Sequence, residues 1–205
     1  MTHDNGNGAR PDSNPPLRED VEEQPSIALL ELSSVPRGVE CADRVLKQAQ
    51  VELLCSTPVQ PGKYVLLFTG SVEDCRSALG AGAEVAREAR VDELLIPQVH
   101  PQVLTALRRR GGVIEGQLDA VGVVETRTVA SSVVAADVAL KAATVDLIDL
   151  RIANGLGGKS FLVVTGEVSD VRASVGAAAD RAGASGALLD RTVIPQPHRD
   201  LSRHL

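Results

Sequence analysis

Residues Val145 to Gly166 read Val-Asp-Leu-Ile-Asp-Leu-Arg-Ile-Ala-Asn-Gly-Leu-Gly-Gly-Lys-Ser-Phe-Leu-Val-Val-Thr-Gly. Two apolar runs, Val145 to Ile152 and Ser160 to Thr165, flank a glycine-rich turn at Asn154 to Gly158, which predicts a β-hairpin with an open loop. An earlier stretch has the same plan. Val51 to Ser56 and Tyr64 to Thr69 read as strands, and Pro58-Val59-Gln60-Pro61-Gly62 as their turn. Each hairpin carries Gly-Lys, then an apolar strand, then Thr-Gly.

The correspondence extends on both sides of the hairpins. Adding 94 carries Ile27 to Val121, Glu31 to Glu125, Asp43 to Asp137, Lys47 to Lys141 and Val51 to Val145. The offset becomes 96 at Gly62 and Gly158, which places two extra residues in the second hairpin loop. It becomes 98 where Ile96-Pro97-Gln98 and His100 meet Ile194-Pro195-Gln196 and His198. Each copy reads strand, helix, hairpin, helix, strand. Helices are expected over Val39 to Gln50, Ser71 to Ala89 and Pro101 to Arg109, and over Val133 to Ala143, Glu167 to Ala182 and Arg199 to Leu205. Ser71 and the acidic residues after it suit a helix start. In the first helix Val39, Ala42, Val45, Leu46 and Ala49 form the apolar series. Strands joined so tightly cannot be parallel, so the fold class is α+β, helices layered on a mostly antiparallel sheet, made twice.

The expected organisation is a disordered tail over 1–25, a first domain over 26–110, a linker over 111–119 and a second domain over 120–205. The tail is polar and would gain no burial by ordering. The Gly-Gly pair and missing apolar period mark the linker.

Composition narrows the function. In a chain of 205 residues, 43% hydrophobic and 23% charged content is that of a globular protein, and with Tyr64, Phe68 and Phe161 as the only rings the cores must be aliphatic. A formal charge of -6 argues against nucleic-acid binding, and Arg108-Arg109-Arg110 reads as a solvated helix end or linker. No apolar run is long enough for a bilayer and no secretory segment opens the chain, so a cytoplasmic location is expected. Cys41, Cys55 and Cys75 show no metal-ligand spacing and read as reduced, buried thiols.

Catalytic and metal-ligating constellations are missing. Gly158-Lys159-Ser160 resembles the end of a phosphate-binding loop, but its first glycine would fall at Ala153 and a strand follows where that motif requires a helix. Asp43 with Lys47 and Asp137 with Lys141 stand at i and i+4 and read as intrahelical ion pairs worth about 0.3 kcal/mol. The recurring lysine facing a neighbouring subunit is the sharper reading. His100 and His198 stand where a strand gives way to a helix and read as hydrogen bonders at a helix start.

Taken in order, Gly122-Val-Val-Glu-Thr126, Ala136-Asp-x-x-x-Lys141, the glycine loop, Gly166-Glu-Val-x-Asp170 and Ile194-Pro-Gln-Pro-His198, with the matching series from Leu30 to His100, resemble the bacterial microcompartment shell domain. Two copies without circular permutation make the chain similar to tandem shell proteins. The resemblance implies a ferredoxin-like layered sandwich and a homotrimer shaped as a pseudo-hexagonal tile. It implies a shell location beside hexameric tiles and pentameric vertices. Val59, Gln60, Pro61, Gly62, Asn154, Gly155, Leu156, Gly157 and Gly158 would line a central pore for small polar metabolites, and Lys47, Lys141, His100 and His198 would stand at subunit or tile edges. In one tandem member a pore cysteine binds an iron–sulfur cluster; here the position is Gln60, which is not a cluster ligand, so no cofactor is expected. Gln98 and Gln196 also replace an edge arginine common in the family. The alternative is a soluble trimeric ligand-binding regulator on the same layered units.

Overall fold

The computed structural model describes residues 25–109, 118–152, 155–201 and 204–205. The expected tail, apart from Pro25, and most of the expected linker lie outside these residues. In the first copy β1 (Ser26–Leu32), α1 (Val35–Gln48), β2 (Glu52–Val59), β3 (Lys63–Gly70), α2 (Val72–Ala86) and β4 (Arg90–Ile96) precede α3 (Pro101–Arg109). The second copy repeats the order as β5 (Ala120–Thr126), α4 (Val129–Ala142), β6 (Asp146–Ile152), β7 (Ser160–Gly166), α5 (Val168–Ala184) and β8 (Leu188–Pro195). The sheets run β2-β3-β1-β4 and β6-β7-β5-β8, with every neighbouring pair antiparallel. This is the ferredoxin-like β-α-β-β-α-β arrangement. Both predicted hairpins are present, although Pro58 and Val59 belong to β2 rather than to its turn.

Capping explains why α1 and α4 begin four residues before the predicted starts. The Ser34 hydroxyl accepts the Arg37 N–H at 3.4 Å, and the Thr128 hydroxyl accepts the Ser131 N–H at 3.1 Å. Pro36 then sits in the first turn, where its missing N–H costs nothing. The predicted Ser71 cap accepts the Asp74 N–H at 3.1 Å. Of the last predicted helix, Arg199 to Leu205, residues 202–203 lie outside the described ones, and the rest make 3-10-type turns: Leu201 N donates to the His198 carbonyl at 2.8 Å and His204 N to the Leu201 carbonyl at 2.9 Å. Its counterpart α3 buries Val103, Ala106 and Leu107 in the core, against α4 and β6 of the second copy. The corresponding positions in the second copy are Leu201, His204 and Leu205.

The first sheet is buried on both faces. On one side Ala28, Leu30 and Leu32 meet Cys41, Ala42, Val45 and Ala78 of α1 and α2. Tyr64 approaches α1 so closely that a Cβ on Gly38 would lie 2.2 Å from its ring. On the other side Ile27, Leu29, Val65 and Leu67 share a core with Val129, Val133 and Leu140 of α4. Helix α4 is therefore covered from both sides, which fits its being apolar nearly all round. Among the described residues no helix covers the far face of the second sheet, where Val121, Ile148 and Val163 cluster with Leu118 and the half-buried Val123, Phe161 and Leu205.

One sequence expectation is corrected here. Val39 and Leu46 were placed on the apolar face of α1, yet they are 56% and 50% exposed. The buried face is Gly38, Cys41, Ala42 and Val45. Cys41 and Cys75 are buried as expected, and Cys55 is half-buried. Burial pushes both buried thiols up to about 11.

Candidate functional site

The two hairpin loops meet at one end of the chain. Lys63, at the base of the first, sends its ammonium to the Gly158 carbonyl of the second at 3.5 Å, and Pro61 lies against Gly158. Gly62, Gly155, Gly157 and Gly158 all take positive φ, a backbone that glycine adopts without a Cβ penalty. Gln60, Pro61, Gly62, Gly155 and Gly157 are exposed, and Leu156 is half-buried. Val59, expected at the lining, is buried in the core because it closes β2, so its side chain faces no opening. Gly158 is also covered, and Asn154 lies outside the described residues.

Away from the loops, one set of polar bonds joins the copies. Glu31 is fully buried; one oxygen accepts the Lys63 ammonium at 2.8 Å and the other accepts the Val129 N–H, at the start of α4, at 2.9 Å. Asp92 accepts the Thr128 and Ser131 hydroxyls at 2.5 and 3.4 Å. Asp137 accepts the His100 N–H at 2.8 Å and the Lys141 ammonium at 2.7 Å, while Lys141 also reaches the Gln98 carbonyl at 3.0 Å. Gln102 donates to Asp146 and accepts from Leu147 N. Of the four residues read from sequence as edge groups, Lys47 pairs with Asp43 on α1, while Lys141 and His100 are brought together through Asp137, with His100 Nδ1 accepting from Gln102 N at the start of α3. His198 repeats that contact with Asp200 N.

Among the described residues the duplication leaves one half of this joint open on α1 and the other on the second sheet. Val129, Val133, Asp137, Leu140 and Lys141 of α4 correspond to Val35, Val39, Asp43, Leu46 and Lys47 of α1, residue for residue and type for type. In α4 the three apolar residues are buried against the first sheet; in α1 all three are exposed. Asp43 and Lys47 keep their 2.7 Å ion pair, but the Asp43 side chain is 61% exposed where that of Asp137 is 8% exposed. Conversely, Glu125 and Lys159 repeat Glu31 and Lys63 at 3.3 Å, with both side chains more open than in the first copy. Sequence periodicity alone missed this relation; the identity of α1 and α4 at five outward positions was the signal that contained it.

Among the described residues no group of three or more His, Cys, Asp or Glu side chains is placed to hold a metal ion. No helix of the described residues is long and apolar enough to cross a membrane. The chain is thus a duplicated α+β unit with corresponding exposed faces and with paired glycine loops at one end. Residues 26–99 and 120–197 each match the BMC domain. The chain belongs to the BMC domain family, and its role is that of a shell subunit of a bacterial microcompartment. It is 42% identical over 180 residues to the bacterial microcompartment shell protein PduT of Citrobacter freundii, covering 88% of this chain and 97% of that one. A microcompartment protein from Desulfitobacterium hafniense superimposes with a TM-score of 0.79 at 45% identity, covering 88% and 99% of the two chains. The carboxysome assembly protein CcmO of Synechocystis is 28% identical over 206 residues, covering 93% of this chain and 69% of that one.

Proposed function

We propose that this shell subunit works as a homotrimeric, pseudo-hexagonal tile with a central pore for small polar metabolites, and that it carries out no chemical step. The observation that supports the trimer is the pair of open half-joints. Helix α1 has the outward residues of α4 without the sheet that covers α4, and the second sheet has an apolar far face without a helix. A second copy of the chain supplies each missing half. Head-to-tail contacts of this kind form closed rings when their rotation permits. Burying Val35, Val39 and Leu46 at each joint would contribute about 4 kcal/mol before the cost of association.

In such a ring every chain brings one Gln60 loop and one longer glycine loop to the axis. The lining would alternate and be threefold in its chemistry. Exposed backbone amides and the Gln60 carboxamide suit polar solutes better than apolar ones. Lys47, Lys141, His100 and His198 are proposed to stand toward the outer rim, where other shell proteins would adjoin, and no cofactor is assigned to Gln60. The trimeric ligand-binding regulator raised from the sequence is not favoured by the relatives found. Native mass in solution, followed by electron microscopy of the same sample, tests this reading. A trimer that forms hexagonal sheets, alone or with other shell proteins, is expected; a monomer at micromolar concentration would overturn it.

A further inference from the structure

We infer that Asp190 of one chain pairs with Arg37 of the next, making the joint between chains an ion-paired counterpart of the hydrogen-bonded joint within the chain. The inference rests on the homotrimer reading above and adds to it a specific contact that the internal joint does not contain.

In the first copy Asp92 divides its carboxylate between two tasks. One oxygen accepts the N–H of Glu93 at 2.9 Å, which fixes the side chain on the strand. The other faces the start of α4 and takes the hydroxyls of Thr128 and Ser131. Asp190 is its counterpart in β8, and its first oxygen is fixed in the same way by the Arg191 N–H at 2.7 Å. Among the described residues its second oxygen has no donor. The carboxylate is oriented for a helix start that the described residues of its own chain do not supply.

The helix start that matches is that of α1. Thr128 corresponds to Ser34, which caps α1 as Thr128 caps α4, and Ser131 corresponds to Arg37. Of the two positions that face the aspartate, one keeps its hydroxyl as Ser34 and the other exchanges a short hydroxyl for the Arg37 guanidinium. Arg37 now holds Glu40 at 2.7 Å, and both side chains are substantially exposed, so this surface pair holds Arg37 only weakly. The ground around Asp190 fits the same helix end. Val123, Glu125, Phe161, Asp190, Arg191 and Thr192 border an open hollow of about 280 Å³, with apolar and acidic walls. In the first copy the corresponding Leu29, Glu31 and Val65 are buried beneath α4. Val35 and Arg37 bring an apolar group and a cation, which complement the apolar Val123 and Phe161 and the acidic Glu125 and Asp190 of this hollow. Arg191 is the one cation on its border and holds Asp190 through its backbone N–H rather than its guanidinium.

The test compares the full chain with Arg37→Asp, Asp190→Arg and the double exchange, following trimer dissociation by mass photometry across dilution and across salt. Each single reversal is expected to raise the dissociation concentration by about tenfold or more, and the double exchange to return it to near the wild-type value. Wild-type dissociation is expected to rise with ionic strength, as a screened pair requires. Thermal melting of each variant checks that the chains remain folded. Singles that dissociate like wild type, or a double variant weaker than both singles, would overturn the pairing while leaving the trimer in place. A monomeric wild type would instead remove the reading on which the pairing rests.

Discussion

The Glu31 carboxylate accepts the backbone N–H of Val129 at 2.9 Å, across 98 positions of sequence. A fully buried acid in the first copy therefore satisfies one of the open amides at the start of a helix in the second, where an anion also meets the positive end of the helix dipole. The two copies are fastened by this bond and by the apolar face of α4, not by the connecting segment alone.

Val39→Glu is expected to abolish chain association while leaving the melting temperature of the separated chain nearly unchanged. Val39 is largely exposed, so a carboxylate there is solvated until a neighbour covers it. The equivalent Val133→Glu places the same charge in a fully buried position and is expected to prevent stable folding. Native mass and circular dichroism of the two variants separate these outcomes; equal effects on both would contradict the assignment of α1 to an open joint.

Glu31→Ala is expected to cost about 3 kcal/mol, because it strands the Lys63 ammonium and the Val129 amide in a covered place. The same change at Glu125, half-buried and paired with Lys159 at 3.3 Å, is expected to cost under about 1 kcal/mol. Urea unfolding in the Val39→Glu background reads both values without a contribution from association.

Gly38→Ala is expected to destabilise the first copy by about 2 kcal/mol, since the new Cβ meets Tyr64 ring atoms and α1 must lift from the sheet. Gly80→Ala, where nothing lies within 4 Å of the added carbon, serves as the comparison and is expected to be neutral or stabilising. Differential scanning of the two variants gives the contrast.

Thiol labelling at pH 8 is expected to modify Cys55 ahead of Cys41 and Cys75, whose thiols are buried and raised to about 11, chiefly by that burial. Their linkage has a definite sign. From the ordinary thiol value of 9.0 upward the unfolded chain loses these protons and the folded chain keeps them, so folding stability is full below that pH and falls as pH rises toward about 11. Cys41→Ala/Cys75→Ala is expected to flatten this decline, as read from urea midpoints between pH 8 and 11.

The duplicated hairpin, the element order and the Asp43–Lys47 and Asp137–Lys141 pairs were legible in the sequence because each depends on local period or spacing. Exposure was not. The apolar series of α1 includes Val39 and Leu46, and periodicity reports that a face is apolar without reporting whether its cover belongs to the same chain. The early helix starts at Val35 and Val129 follow from the Ser34 and Thr128 hydroxyls, whereas the prediction followed only the apolar period. In the final segment Leu201 and Leu205 match Val103 and Leu107 in sequence, but the cover on α3 comes from α4 and β6 of the second copy, which no local pattern reports. Val59 was placed at the loop rim by correspondence with a family motif, while its burial depends on the neighbouring sheet.

Because α4 is already seated on the first sheet, the chain carries one finished joint before it meets another molecule. That joint forms at an effective concentration set by the tether and is indifferent to dilution. Assembly of the proposed ring is then limited by the joints between chains alone. At low expression the shell would lose whole chains from its tiles rather than single domains, and each chain released would keep its own two halves correctly paired for the next encounter.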